Sequence, residues 1–105
     1  MSSKNENTDS NRPKASNEIF IGKKPLMTYV TATLVQLANE PLVVIKARGK
    51  SIPRAVDVAQ IIVKRMETLG YKVATVKLGS ESVKSQDGNM RNVSTIEVAV
   101  SRNST

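Results

Sequence analysis

The chain of 105 residues contains no cysteine, no histidine and no tryptophan. Without cysteine there is no disulfide and no thiolate nucleophile, and without histidine there is no imidazole base. Both common zinc ligands, cysteine and histidine, are therefore missing. Only carboxylates, Lys and Tyr remain as catalytic candidates. We therefore expect no enzyme activity, no metal site and no cofactor.

Aromatic residues and long apolar runs are also scarce. Phe20, Tyr29 and Tyr71 are the only aromatics, and each lies in or beside a predicted core element, so the sequence predicts no platform for stacking unpaired bases. No apolar run approaches the ~20 residues that span a bilayer, and no charged-then-apolar signal segment opens the sequence. We expect a cytoplasmic protein with no membrane partner.

Acidic residues are outnumbered, with 9 Asp and Glu against 16 Lys and Arg. Residues 1–18 contribute three of each sign, so the net charge of +7 belongs entirely to residues 19–105. Because counterion release rewards each cation that meets a phosphate, this surplus favours a polyanionic partner. A chain of this length has room for one domain with one modest core.

The order of apolar patterns predicts one α/β domain. Residues 1–17 are polar, without apolar periodicity, and predict a disordered tail before a domain over residues 18–105. Strands are predicted at 18–21, 42–48, 71–80 and 93–102, with helices at 25–39 and from Ser51 towards Gly70. The order β-α-β-α-β-β predicts a two-layer sandwich, in which two helices cover one face of a four-stranded mixed sheet and a long β-hairpin arm projects.

The apolar residues of the two helices predict which faces are buried. In the first helix they form the stripe Leu26, Val30, Leu34 and Leu37. In the second helix the predicted core stripe is Ile52, Ala55, Val56, Ala59, Ile62, Val63 and Met66. Val58 and Ile61 fall outside that stripe, which predicts either a loosely packed surface or a second buried face of the kind that an oligomer supplies.

Basic residues stand where each helix begins. Gly22-Lys23-Lys24 leads into the first helix, although cations are unfavourable at a helix N-terminus. A phosphate held by both ammonium groups and by free backbone N–H groups would resolve this conflict. Arg48-Gly49-Lys50 repeats the arrangement before the second helix, with Arg54 in its first turn. If the first two strands are parallel, both junctions form one basic rim.

Two further interpretations concern the second junction. Lys46, Arg48 and Lys50 are every second residue, so in an extended chain their side chains would lie on one side about 7 Å apart. This distance is near the phosphate spacing of one nucleic-acid strand. Gly49-Lys50-Ser51 also imitates the end of a phosphate-binding loop. This motif also needs a Gly five residues before Gly49. That position is Val44, inside a predicted strand, which argues against a nucleotide hydrolase.

The hairpin arm carries two cations near its tip. A two-residue Asp87-Gly88 turn would place Lys84 opposite Arg91, and like charges facing each other favour a phosphate or a groove between them.

Four segments together resemble the archaeal Alba family of chromatin proteins. They are Ile21-Gly22-Lys23-Lys24-Pro25, Ile45-Lys46-Ala47-Arg48-Gly49-Lys50, Ser85-Gln86-Asp87-Gly88 and Val93-Ser94-Thr95-Ile96-Glu97-Val98. The likeness runs from Asn17 to about Val100. It implies a homodimer that binds double-stranded DNA without sequence preference, is associated with the chromosome, and also binds RNA.

The resemblance also implies roles for individual residues. Lys23 and Lys24 would lie at the centre of the DNA-facing surface with Arg48 and Lys50 beside them, and the arms carrying Lys84 and Arg91 would enter the minor groove. Asn17 matches a family position near the nucleic-acid backbone, and Met66 stands where some relatives carry a Phe that joins dimers. The full set expected to bind nucleic acid is Asn17, Lys23, Lys24, Lys46, Arg48, Lys50, Arg54, Lys84 and Arg91, and the set expected in dimer or dimer-dimer contacts is Val58, Ile61 and Met66.

Three alternatives remain open from the sequence. A dedicated RNA-binding subunit of a ribonucleoprotein would use the same phosphate contacts. A nucleotide hydrolase would use Lys50 and Ser51, and a structural dimer would carry its charge only for solubility.

Overall fold

The computed structural model describes residues 17–102, and the predicted tail lies outside this range except for Asn17. Two helices and four strands make up the fold within this range. In chain order they are β1 (Glu18–Phe20), α1 (Leu26–Leu37), β2 (Leu42–Arg48), α2 (Ile52–Arg65), β3 (Tyr71–Lys84) and β4 (Met90–Arg102). Two short 3-10 turns, Gly49–Ser51 and Glu67–Leu69, lead into α2 and follow it. No helix in the described range is long and apolar enough to cross a membrane.

The four strands form one mixed sheet in the order β1-β2-β4-β3. β1 pairs parallel with β2, and β4 pairs antiparallel with both β2 and β3. The parallel pair requires a crossover, which α1 supplies, and α2 makes the second connection. The predicted two-layer α/β sandwich and its β-α-β-α-β-β order are confirmed.

Alternation along the strands places the core on the helix-covered face of the sheet. Val43, Ile45 and Ala47 of β2 are buried there opposite Val100, Val98 and Ile96 of β4. The intervening residues point to the other side, which we call the open face because no helix of the described range covers it.

The buried face of α2 differs from the predicted stripe. Val58 is fully buried in the core of its own chain, so the prediction that it lies on a second, oligomeric face was wrong. Val56, predicted in the core, is 41% exposed. The buried set Ala55, Val58, Ala59 and Ile62 has the i, i+3, i+4, i+7 spacing of one helix face.

In α1 the core contacts also differ in part from the predicted stripe. Tyr29 and Thr33 are buried together with Val30 and Leu37. Leu26 and Leu34, which the stripe included, only pack against the edge of the core. The Thr33 hydroxyl is satisfied because it donates to the Tyr29 carbonyl at 2.7 Å.

An apolar strip on β3 stays exposed beside the helices. Val73, Val76 and Leu78 pair with Val100, Val98 and Ile96, so they belong to the helix-covered side of the sheet. They are nevertheless 39%, 56% and 74% exposed, because the helices cover this outer strand only in part. Neighbouring large apolar side chains in a row are typical of surfaces that a partner covers.

Candidate nucleic-acid interface

Both helix-start junctions lie at one end of the sheet. Since β1 and β2 are parallel, the segments after Phe20 and Arg48 leave the sheet at the same edge. Arg54 of α2 joins the two segments, because its guanidinium donates a hydrogen bond to the Lys24 carbonyl. The exposed ammonium groups of Lys23, Lys24 and Lys50 therefore form one basic surface, which we call the rim. The predicted common edge is confirmed.

Tyr29 fixes the backbone of the first junction. Its hydroxyl accepts hydrogen bonds from the backbone N–H of Gly22 at 2.9 Å and of Lys24 at 3.0 Å. These two amides are therefore not among the free backbone N–H groups that were predicted to help bind a phosphate at the helix start. The two lysine side chains remain unpaired within the described residues, so the junction offers ammonium groups on a rigid backbone.

Replacing Tyr29 with Phe should lower the free energy of unfolding by about 1–3 kcal/mol, because two part-buried N–H groups would lose their acceptor while the ring remains in the core. Denaturant unfolding of both proteins measures the difference. Equal midpoints and equal slopes would show that water replaces the hydroxyl without cost.

Neither helix start is neutralised by its own side chains. Pro25 precedes α1 and Ser51 precedes α2, and neither makes a side-chain capping bond. Ser51, where the second helix was predicted to begin, has helical backbone angles, which turn its hydroxyl away from a capping role. No acidic residue lies in the first turn of either helix. The partial positive charge of both helix starts therefore adds to the charge of the rim.

Lys46 and Arg48 do not extend the rim, contrary to the prediction of a row with Lys50. The Lys46 ammonium lies 2.8 Å from the Glu18 carboxylate, and the Arg48 guanidinium lies 3.0 Å from that of Glu81. The hydrogen bond to Glu18 raises the pKa of Lys46, and the negative charges of Glu18 and Glu97 add to this effect. Both cations lie on the open face with their charge compensated.

The predicted row also ends at Gly49 for a backbone reason. Gly49 has a φ of 57° and begins the 3-10 turn, so the extended geometry does not continue to Lys50. Lys50 consequently lies with Lys23 and Lys24 at the rim rather than in line with the strand. Val44 lies inside β2, paired with Ala99, so the wrapping loop of a nucleotide hydrolase is absent at this position, as the sequence indicated.

The hairpin arm projects from the same end as the rim. The last β2–β4 pair is Arg48 with Thr95, while β3 and β4 continue together to Lys84 and Met90. Five residues of β3 and five of β4 thus extend beyond the end of β2, over roughly 17 Å. The arm and the rim are adjacent, since a Cβ on Gly49 would lie 3.5 Å from the Val93 side chain.

The register of the arm differs from the prediction by one residue. The Ser85 backbone N–H donates a hydrogen bond to the Asn89 carbonyl across a three-residue loop. In this register Lys84 pairs with Met90, and Arg91 pairs with Val83. Lys84 and Arg91 therefore lie on opposite faces of the ribbon and do not oppose each other. The like-charge argument for a groove between them was wrong, although both side chains remain exposed.

Side chains of the loop explain its length. The Ser85 hydroxyl and the Asn89 backbone N–H both bond the Asp87 carboxylate, and Gly88 adopts a φ of 88°. The bond from Ser85 is the main cause of a lowered pKa at Asp87, which stays ionised at neutral pH. With a left-handed residue closing the loop, this is the three-residue hairpin class.

The other predicted site residues have mainly structural positions. The Asn17 carbonyl accepts from the Val44 N–H at 2.8 Å, which extends the β1–β2 pairing by one bond. Ile61 and Met66 are partly buried against the core, and the Arg54 guanidinium lies 6.0 Å from the Tyr29 ring centre. Arg54 thus holds the rim together while contributing its charge.

Three side chains near the interface were not predicted to contribute to it. Tyr29 was read only as core, and the pairing of Glu81 with Arg48 joins residues far apart in the sequence. Phe20 lies in β1, which is a core element as predicted, but its side chain is 52% exposed on the open face. The available signal was strand alternation, because Phe20 lies between Ile19 and Ile21, which are both buried on the other face.

Comparisons of the sequence and of the structure with known proteins match the same family. The Alba family model matches residues 17–80. The DNA/RNA-binding protein Alba of Nitrosopumilus maritimus is 66% identical over 90 residues, which are 86% of this chain and 95% of the relative. Alba from Thermoplasma volcanium has a similar structure, with a TM-score of 0.75 and 42% identity over 82% of this chain and 100% of its own. ALBA1 from Trypanosoma brucei shares the fold, with a TM-score of 0.67 and 21% identity over 86% of this chain and 72% of its own.

Proposed function

The chain belongs to the Alba family, and we propose that it binds nucleic acid, as a homodimer that coats and compacts double-stranded DNA without sequence preference. In this proposal it also binds RNA, has no catalytic role, and is associated with the chromosome in the cytoplasm. The name of its relative from Nitrosopumilus maritimus, a DNA/RNA-binding protein, supports both ligands.

The rim is the observation that carries the proposal. Three exposed lysines and two uncapped helix starts meet at one edge, and none of the three has an acidic partner within the described residues. Such an arrangement costs stability through charge repulsion unless an anion compensates it. Repeated phosphates of a nucleic-acid backbone supply that compensation, and they carry no sequence information.

The arm supports a groove contact of a revised kind. Because Lys84 and Arg91 lie on opposite faces, a ribbon that enters a minor groove turns one cation towards each of the two backbones. The arm also carries Glu81 and Asp87, so its net charge is zero. The arm therefore contributes to binding by placing two cations near the phosphates, while the positive charge of the rim provides the net attraction to the nucleic acid.

The apolar strip supports the homodimer. Val73, Val76 and Leu78 form a row that a symmetry-related copy would cover with the same residues. A two-fold pair presents two rims and two arms, so one dimer engages more phosphates than one chain. In this revised proposal the strip replaces Val58 as the centre of the dimer contact, with Ile61 and Met66 nearby on α2.

A salt titration tests the proposal. If a dimer engages about six to ten phosphates, the logarithm of the binding constant should fall against the logarithm of salt concentration with a slope of about −5 to −9. Duplexes of equal length and different sequence should bind within a few-fold of one another, since no helix enters a groove to read bases. A slope near zero, or strong preference for one sequence, would refute the proposal.

RNA as the main ligand is the second candidate, supported by the same relative's name. Phosphate contacts alone do not distinguish the two polymers. Competition between duplex DNA and duplex RNA of equal length and matched sequence decides between them. A preference for RNA of tenfold or more would make the ribonucleoprotein role primary.

A further inference from the structure

A groove on the open face of the sheet is separate from the three lysines of the rim and from the two cations of the arm. It measures about 510 Å³, within the ~300–1,000 Å³ range of small-molecule sites. Its lining includes Phe20, Lys46, Arg48, Glu81, Thr95 and Glu97. By strand register all six belong to the open face, and together they lie on all four strands of the sheet.

The groove combines an aromatic surface with polar groups of both kinds. The Phe20 ring is half exposed, and the Lys46 ammonium lies 5.6 Å from its centre. Lys46 and Arg48 supply donors, while Glu81 and Glu97 supply acceptors. A flat ring stacked on Phe20 would meet both donors and acceptors at its edge.

The charges of the groove select against a phosphate. Lys46 is already bonded to Glu18 and Arg48 to Glu81, and Glu97 adds a further carboxylate opposite Lys46. An anion in the groove would meet these carboxylates, whereas a neutral base offers amino groups to them and ring acceptors to the cations. The lining thus fits a nucleobase better than a phosphate.

The groove is continuous with the rim. Phe20 lies two residues before the Gly22-Lys23-Lys24 segment, and Arg48 lies two residues before Lys50. Since both strands end at this edge, a backbone held by the rim passes the mouth of the groove. We propose that the groove binds one unpaired base of the nucleic acid held at the rim, stacked on Phe20, as at a single-stranded end or loop. This proposal rests on the nucleic-acid binding proposed above.

Three DNA ligands of one core sequence test the proposal. They are a blunt duplex, the duplex with a short adenine overhang, and the duplex with an abasic overhang of equal length. The two overhangs carry the same number of phosphates, so their affinity ratio reports the bases alone. We expect the adenine overhang to bind about fivefold or more tightly than the abasic one, as stacking on an aromatic ring implies.

Phe20→Leu should reduce that ratio to about one while blunt-duplex affinity stays unchanged, because Leu keeps apolar contact but removes the ring. Val35→Ala is the matched control, since Val35 is 58% exposed on α1, on the helix side of the sheet, and should keep the parent ratio. In Phe20→Trp, the single Trp of the chain should be quenched by the adenine overhang and not by the abasic one.

Each outcome bears on one proposal. Equal affinity for both overhangs in the parent, or an unchanged ratio in Phe20→Leu, overturns the base-binding groove while salt-dependent binding of the blunt duplex continues to support the proposed function. Failure of the parent protein to bind the blunt duplex overturns the proposed function itself.

Discussion

Replacing both Lys23 and Lys24 with Glu is expected to lower DNA affinity by at least about a thousandfold near 0.1 M salt, because a dimer loses four cations and gains four anions at the centre of the rim. The fold should persist. Gly22 and Lys24 use only backbone groups to bond Tyr29 and Arg54, and those groups remain in the variant. Acidic residues also suit a helix N-terminus better than lysines, so the unfolding midpoint should hold or rise.

Mobility shift and denaturant unfolding measure these two effects separately. Lys64→Glu with Arg65→Glu is the matched control, because it makes the same charge change at the exposed far end of α2. The control should reduce affinity only modestly through net charge, although it loses favourable charges at the helix C-terminus. Equal losses in both variants would show that net charge rather than the rim governs binding, and an unfolded Lys23/Lys24 variant would show that these lysines are structural.

Leu78→Lys is expected to convert the proposed dimer to a monomer and to weaken binding to long DNA by about a hundredfold or more, because one complex would then hold the DNA with one rim and one arm instead of two of each. Leu78 is 74% exposed in the single chain, so the substitution should leave the monomer folded. Lys is chosen because two ammonium groups repel each other across a two-fold contact without adding negative charge near DNA.

Light scattering gives the mass of the parent and the variant, and a salt titration on long DNA gives their affinities. Val35→Lys adds the same charge at an exposed apolar site on α1 and should remain dimeric. A monomeric parent protein, or a Leu78→Lys variant with the parent mass, would remove the apolar strip from the dimer contact.

The sequence predicted the elements of this fold well because periodicity reports burial directly. The β-branched apolar run at the start of β2 and the alternation within β3 and β4 both predicted strands, and the order of strands and helices allowed few topologies. α2 was harder to read, because apolar residues occupy more than one side of it. Val56 was predicted in the core and is exposed, whereas Val58 was predicted outside it and is buried. The strands packed beneath the helix decide which face is buried.

The candidate site was predicted where it depends on chain direction and missed where it depends on distant partners. The parallel β1–β2 pair places Lys23 and Lys50 at one edge, and strand order alone implies this. In contrast, nothing in the sequence near Arg48 indicates that Glu81 neutralises it. The arm register was missed because Asp87-Gly88 suits both two- and three-residue loops, and the bonds of Ser85 and Asp87 to Asn89 decide between them.

The outer position of β3 has a consequence for how copies of this chain associate. β3 is 14 residues long and forms the edge of the sheet, so within residues 17–102 no strand pairs with its outer side. Such an edge is a template for adding strands without limit. Ala74 interrupts the register with a bulge, and the exposed Lys72 and Lys77 place charge along it. Both features discourage main-chain pairing, so in the proposed dimer two copies would meet here through the side chains of the apolar strip, which favours closed pairs over open-ended fibres.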